Sequence, residues 1–101
     1  MATLYISEFA RLGQDLRSVV MAPEEPVLAN QTVTIGVGSA ASAAFNASTT
    51  FVEIHADAIC SIKFGTAPTA AATDMRLAAG DRIIRAVPRG ASYKVACIVN
   101  T

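Results

Sequence analysis

Two alternating runs set back to back dominate the middle of the chain. In residues 51–64, FVEIHADAICSIKF, Val52, Ile54 and Ala56 share one side of an extended chain while Phe51, Glu53 and His55 share the other. After Asp57 and Ala58 the alternation resumes, with Cys60, Ile62 and Phe64 on one side and Ser61 and Lys63 on the other. A period of two marks half-buried strands. β-branched residues and the lack of a cap before the run argue against a helix. The pattern predicts a tight antiparallel hairpin with its apolar side on a core, Asp57 making the turn by bonding nearby backbone.

Similar patterns recur along the chain. Residues 3–9 alternate Leu4 and Ile6 with Thr3, Tyr5 and Ser7 and predict an opening strand. A short strand is expected over 16–21, a single helical turn being the alternative, after which Pro23 and Pro26 close off regular structure around Glu24 and Glu25, leaving a loop or extended arm. Residues 31–37 predict a strand with Val33, Ile35 and Val37 inward and Gln31, Thr32 and Thr34 mostly outward. A brief edge strand is expected at 43–45, and further strands at 75–78 and 82–87, where adjacent Ile83 and Ile84 must face opposite ways. Val87-Pro88-Arg89-Gly90 has turn chemistry, and the final run, 92–99, is apolar on both faces toward its end, as suits a central strand. About seven to nine short strands at spacings near ten residues predict one all-β domain over 1–101, an antiparallel, jelly-roll-like β-sandwich, with residues 1–30 supplying the opening strand and the proline-bounded arm.

Composition changes this picture in one respect. The chain has 101 residues and is 52% hydrophobic, but alanine supplies much of that and aromatics are only 6%. At ~25 cal/mol per Å² small side chains build a thin core. The charged fraction of 16% is low, so apolar surface must be placed either as scattered alanines or beneath partner subunits. Net charge is zero, without the basic excess of a nucleic-acid binder. The halves differ: residues 1–60 hold two cations against six anions, a net −4, and residues 61–101 hold six against two, a net +4. Either the halves interleave and cancel, or they meet across subunits or on an acidic partner. No stretch is long and apolar enough to span a bilayer, and the N-terminus lacks a secretory layout, so the expectation is a cytoplasm or something assembled there. Cys60 and Cys97 each sit inside an apolar run and are expected as buried free thiols, a cross-strand disulfide being the alternative.

Candidate chemistry is sparse. His55 is the single histidine, sits mid-strand without spaced ligand partners, and is expected as a cross-strand structural residue. No nucleophile elbow is present. Gly36 and Gly38 lack the third glycine of a dinucleotide fingerprint and are expected at a bulge or strand end. Arg82, Arg85 and Arg89 cluster in sequence, yet Arg82 and Arg85 differ in parity and cannot share a face. No enzyme, metal or cofactor is expected.

The succession FVEIHADAICSIKFG, APTAAATDMRLAAGD, AVPRG and ASYKVACIVNT, with the opening MATLYISEFA, resembles small bacteriophage structural proteins encoded near major capsid proteins. The resemblance implies a virion component of the head decoration, or cement, type: a small β-sandwich on the capsid surface, made in the host cytoplasm, that staples neighbouring shell subunits. Its implied partners are the major capsid protein and further copies of itself, with no nucleic acid and no membrane. Candidate capsid or subunit contacts are Tyr5, Glu24, Glu25, Arg82, Arg85 and Arg89. A head-tail connector, a tail protein or a head-fibre anchor would use the same fold, and a carbohydrate-binding module is a further alternative that needs exposed aromatics.

Overall fold

Alternation becomes strand wherever the sequence offers it strongly. A computed structural model describes residues 2–14, 19–23 and 25–100. Among them run β1 (Thr3–Phe9), β2 (Leu12–Gln14), β3 (Val19–Pro23), β4 (Ala29–Thr34), β5 (Ala40–Ala41), β6 (Phe51–Ala56), β7 (Cys60–Gly65), β8 (Met75–Leu77), β9 (Arg82–Ala86) and β10 (Lys94–Val99), and no α-helix. Two four-stranded antiparallel sheets, β4-β1-β6-β9 and β5-β10-β7-β8, pack as a sandwich, and β2 and β3 form a separate ribbon. The eight sheet strands fall within the expected seven to nine; the ribbon adds two.

The inward positions meet in one core. Leu4, Ile6, Val33, Val52, Ile54 and Ala56 come from the first sheet, and Cys60, Ile62, Leu77, Val95 and Cys97 from the second. Trimming one of the larger of these, such as Ile54, to alanine is expected to cost about 3 kcal/mol. β10 lies between β5 and β7 and buries Val95, Ala96 and Cys97 in succession, as its two-sided apolar pattern requires. Ile83 packs against the core while Ile84 is exposed, as their adjacency demands.

The topology is a nested wrap. β7 pairs with β8, β6 with β9 and β5 with β10, and each successive pair lies in the opposite sheet. This is a long antiparallel ribbon folded over a core in the manner of a jelly roll. β1 pairs with β4 in the place that a strand following β10 would take. The register links the parts, since Cys60↔Leu77 and His55↔Arg82 have the same residue sum and the ribbon bends between sheets without slipping.

That register overturns the hairpin expected over 51–64. β6 pairs with β1 and β9, while β7 lies in the other sheet between β10 and β8. Residues 57–59 form the corner of one bent strand, so the two apolar runs face each other across the core. Asp57 does not bond within its own turn. Its Oδ1 accepts a hydrogen bond from Thr3 N at 2.6 Å, and its own N–H donates to Thr3 O, so it ties the corner to β1.

Other expectations shift as well. The strand expected over 31–37 ends at Thr34 because the chain turns to cross to the second sheet, leaving Val37 92% exposed rather than inward. Gln31 stands opposite Ile6, a core residue, and therefore points inward. The regular edge strand falls at Ala40–Ala41, not 43–45: Ser42 N and Phe45 N still donate to Val95 O and Tyr93 O, but between them Ala43 turns its N–H to the Gln31 side chain and interrupts the ladder. Val19 to Met21 belong to β3, which pairs with β2, so the arm contains a ribbon where a single strand and loop were expected; residues 16–18 lie outside the described residues. Glycines 36 and 38 follow the end of β4 and carry no phosphate-loop geometry.

Candidate docking surface

Of the two outer sheet faces, the first sheet's is the more open. On the second sheet the 66–74 loop folds back, with Ser61 Oγ donating to Ala72 O at 3.2 Å and Ala70 N to Ser39 Oγ at 2.9 Å, so Ser61 is buried although it faces outward. Registered rows cross the first sheet: Thr32, Tyr5, His55 and Arg82 in one, Asn30, Ser7, Glu53 and Ile84 in the next. The Tyr5 and His55 rings lie 6.0 Å apart, Arg82 Nη1 donates to Glu53 Oε1 at 2.8 Å, and Ser7 Oγ donates to Asn30 Oδ1 at 2.8 Å. Tyr5 is 47% exposed and Ile84 51%. His55 is thus the cross-strand residue that its position implied.

One lateral side of the sandwich, formed by β4 and β5, is closed. Glu8 shares parity with Leu4 and Ile6, is 1% exposed, and has no cation beside it among its described partners. Its carboxylate instead accepts hydrogen bonds from Asn46 N at 2.7 Å, Gln31 Nε2 at 2.8 Å and Thr49 Oγ1 at 2.9 Å. Burying a carboxylate is expensive unless its lone pairs are satisfied, and here three donors converge on it. Gln31 accepts from Ala43 N at 3.0 Å, so one amide side chain joins the edge strand to the crossing loop. Val99 N donates to Gly36 O and the Cys97 thiol donates to Thr34 O, adding two further bonds between the sheets.

The opposite side, formed by β9 and β8, is open. Ala56 N donates to Asp81 O and Val87 N to Thr50 O. Bonded and non-bonded pairs alternate along an antiparallel ladder, which assigns residues 81, 83, 85 and 87 to the bonds with β6. The amides and carbonyls of Arg82, Ile84 and Ala86 therefore point away from the sheet. Arg85 has inward parity but lies exposed at the rim, where its guanidinium donates to Met75 Sδ at 3.6 Å, a weak acceptor on the edge strand of the other sheet.

Of the residues singled out in the sequence, Tyr5 and Arg82 meet in one registered row through His55. Arg85 lies at the rim, Arg89 in the turn that follows β9, and Glu25 on an exposed loop, so these three do not join that row. Glu24 lies outside the described residues. Sequence reasoning missed Glu8, Gln31, Met75 and Val37. A signal existed for Glu8, a charge at the core parity of a strand; none marked Val37, whose exposure depends on where the chain leaves the sheet.

Cys60 and Cys97 are both free and buried. Burial, with the neighbouring Cys60 adding, raises the Cys97 thiol to about 11, and burial followed by Asp57 raises that of Cys60. Among the described residues no pocket is enclosed and no three His, Cys, Asp or Glu side chains converge as metal ligands. No protein-family model, curated protein or solved structure matches the chain. What the surface offers is contact: a flat face, an open strand edge and exposed apolar side chains.

Proposed function

We propose that this chain is a non-enzymatic structural protein of a bacteriophage virion, of the head decoration type, that stabilises the capsid by bridging neighbouring shell subunits. The observation that supports this reading is the placement of exposed apolar side chains on both lateral sides. Leu28 and Val37 bracket β4 on one side, while Ile84 and Met75 mark β9 and β8 on the other. A bridging protein needs two separate contact surfaces held at a fixed distance, and the wrapped sandwich between them supplies that spacing. A molecule that binds the assembled lattice better than free subunits stabilises the lattice by mass action, and repeated weak contacts add through effective concentration.

The test is co-sedimentation with purified phage shells, with bound copies counted against shell subunits and shell melting followed by calorimetry. Saturation in proportion to the lattice, with a raised melting temperature, is expected. Val37→Asp and Ile84→Asp are each expected to leave one contact and remove the rise in melting. Failure to sediment with shells, or saturation at a single vertex ring, would overturn the decoration reading.

A further inference from the structure

The strand edge of β9 is built to receive something more specific than a generic apolar contact. Arg82, Ile84 and Ala86 direct three amides and three carbonyls outward along one edge, and all three residues are exposed. Such an edge is a template for strand addition. Its charge is mainly basic, with Arg76, Arg82, Arg85 and Arg89 against Asp74 and Asp81, whose carboxylates accept from Ala71 N and Ala78 N. Arg82 is paired with Glu53, but Arg76, Arg85 and Arg89 have no carboxylate partner among the described residues. Arg76 lies on the neighbouring edge strand β8, and Arg89 just beyond the end of β9.

We infer that the β9 edge accepts an extended, acidic segment of a partner protein as a fifth strand of the first sheet, with a carboxylate facing Arg85. The two sides of that added strand meet different chemistry. On the rim side they meet Ile83, Arg85 and the buried Val87, and among the described residues the Arg85 guanidinium has a thioether sulfur as its side-chain partner. On the outer side they meet Ile84, Ala86 and an Arg82 already paired with Glu53, so a small or β-branched side chain fits there. An acid opposite Arg85 with threonine or valine at the neighbouring outer positions therefore selects one register, since a slip by one residue exchanges the two sides. Pairing of β9 with β9 of a second copy is disfavoured by the same rim, because it brings two Arg85 side chains near each other with no anion between them; an inward-pointing charge on an edge strand commonly guards against such pairing.

This inference deepens the assembly reading by naming the chemistry of the partner segment, but it stands on the edge geometry. Shell binding without peptide binding would remove this inference alone. The test is an NMR titration of the full chain with a capped peptide of alternating glutamate and threonine. Saturable shifts confined to the amides around Arg82, Ile84 and Ala86 are expected. Arg85→Glu should weaken binding at least about tenfold, because it turns an attraction at the rim into a repulsion. Ile84→Pro should abolish binding while leaving the remaining spectrum intact, because residue 84 donates nothing to β6 and proline is tolerated on an edge. The inference is overturned by no shifts at millimolar peptide, by equal binding of a lysine-threonine peptide, or by indifference to Arg85→Glu. Concentration-dependent self-association that Ile84→Pro removes would also overturn it, by giving the edge to a second copy.

Discussion

Gln31 and Arg85 occupy equivalent places on opposite sides of the molecule. Each is a polar residue at inward parity on an edge strand of the first sheet, Gln31 on β4 and Arg85 on β9. Gln31 is absorbed into the fold: its amide bonds Ala43 and the buried Glu8 carboxylate, which in turn holds Asn46 and Thr49. Among the described residues Arg85 reaches only Met75 Sδ. The same strand position thus closes one side of the sandwich and leaves the other open, and the difference lies in what crosses from the second sheet. On the β4 side the chain itself crosses and offers backbone to bond. On the β9 side it wraps away through the 78–81 corner, and two edge strands are left facing solvent.

The strongest way to break this contrast is Glu8→Ala. It leaves a part-buried backbone amide, a buried hydroxyl and an amide side chain without their acceptor, and a loss of about 3 kcal/mol in denaturant unfolding is expected. Gln31→Ala, which removes the link to Ala43 but leaves Glu8 two donors, is expected to cost about 1 to 2 kcal/mol in the same measurement. Alkaline titration probes the closed side more gently, through the Cys97 thiol bonded to Thr34 O. Its folded pKa of about 11 lies above the ordinary 9.0, so the stabilisation is fully present below pH 9 and is lost as pH rises toward 11. Unfolding midpoints should be level through neutral pH and fall across that window, and Cys97→Ala should flatten the fall. Arg85→Ala on the open side is expected to change stability by less than about 0.5 kcal/mol, since an exposed rim residue without a strong partner contributes little to the fold. A large loss there would show that the rim is structural.

Much of this was legible as parity. β1, β4, β6, β7 and β10 were marked by alternation, whereas β8 and β9 were expected from short apolar runs between turns. Parity also spoke against the tightest form of the expected hairpin. Val52, Ile54, Ala56, Cys60, Ile62 and Phe64 all have even numbers, and a two-residue turn at Asp57 and Ala58 would have placed Ser61 and Lys63, not Cys60 and Ile62, on the core side. Unbroken parity fits one strand bending over the core, but a hairpin with a three-residue turn at 57–59 would keep it too, so the pairing is decided by the register and not by the count. Gln31 could have been placed inward by the same count. What parity could not reveal is which strand becomes an edge, because edges follow from the order of wrapping and not from any local residue. Tyr5 and Arg82 were picked from a charge and aromatic inventory, and register alone brought them into one row through His55. Val37 looked like a core residue because its alternation continues past the point where β4 ends.

Amide hydrogen exchange, resolved residue by residue on the isolated chain, tests the contrast between the two sides most directly. Slow exchange is expected at Ala43 and Asn46, whose amides bond Gln31 and Glu8, and at Ile83 and Arg85, which face β6; fast exchange is expected at Arg82, Ile84 and Ala86. Protection of Ile84 comparable to that of Ile83, or exchange of Asn46 as fast as that of Ile84, would contradict an open β9 side opposite a closed β4 side.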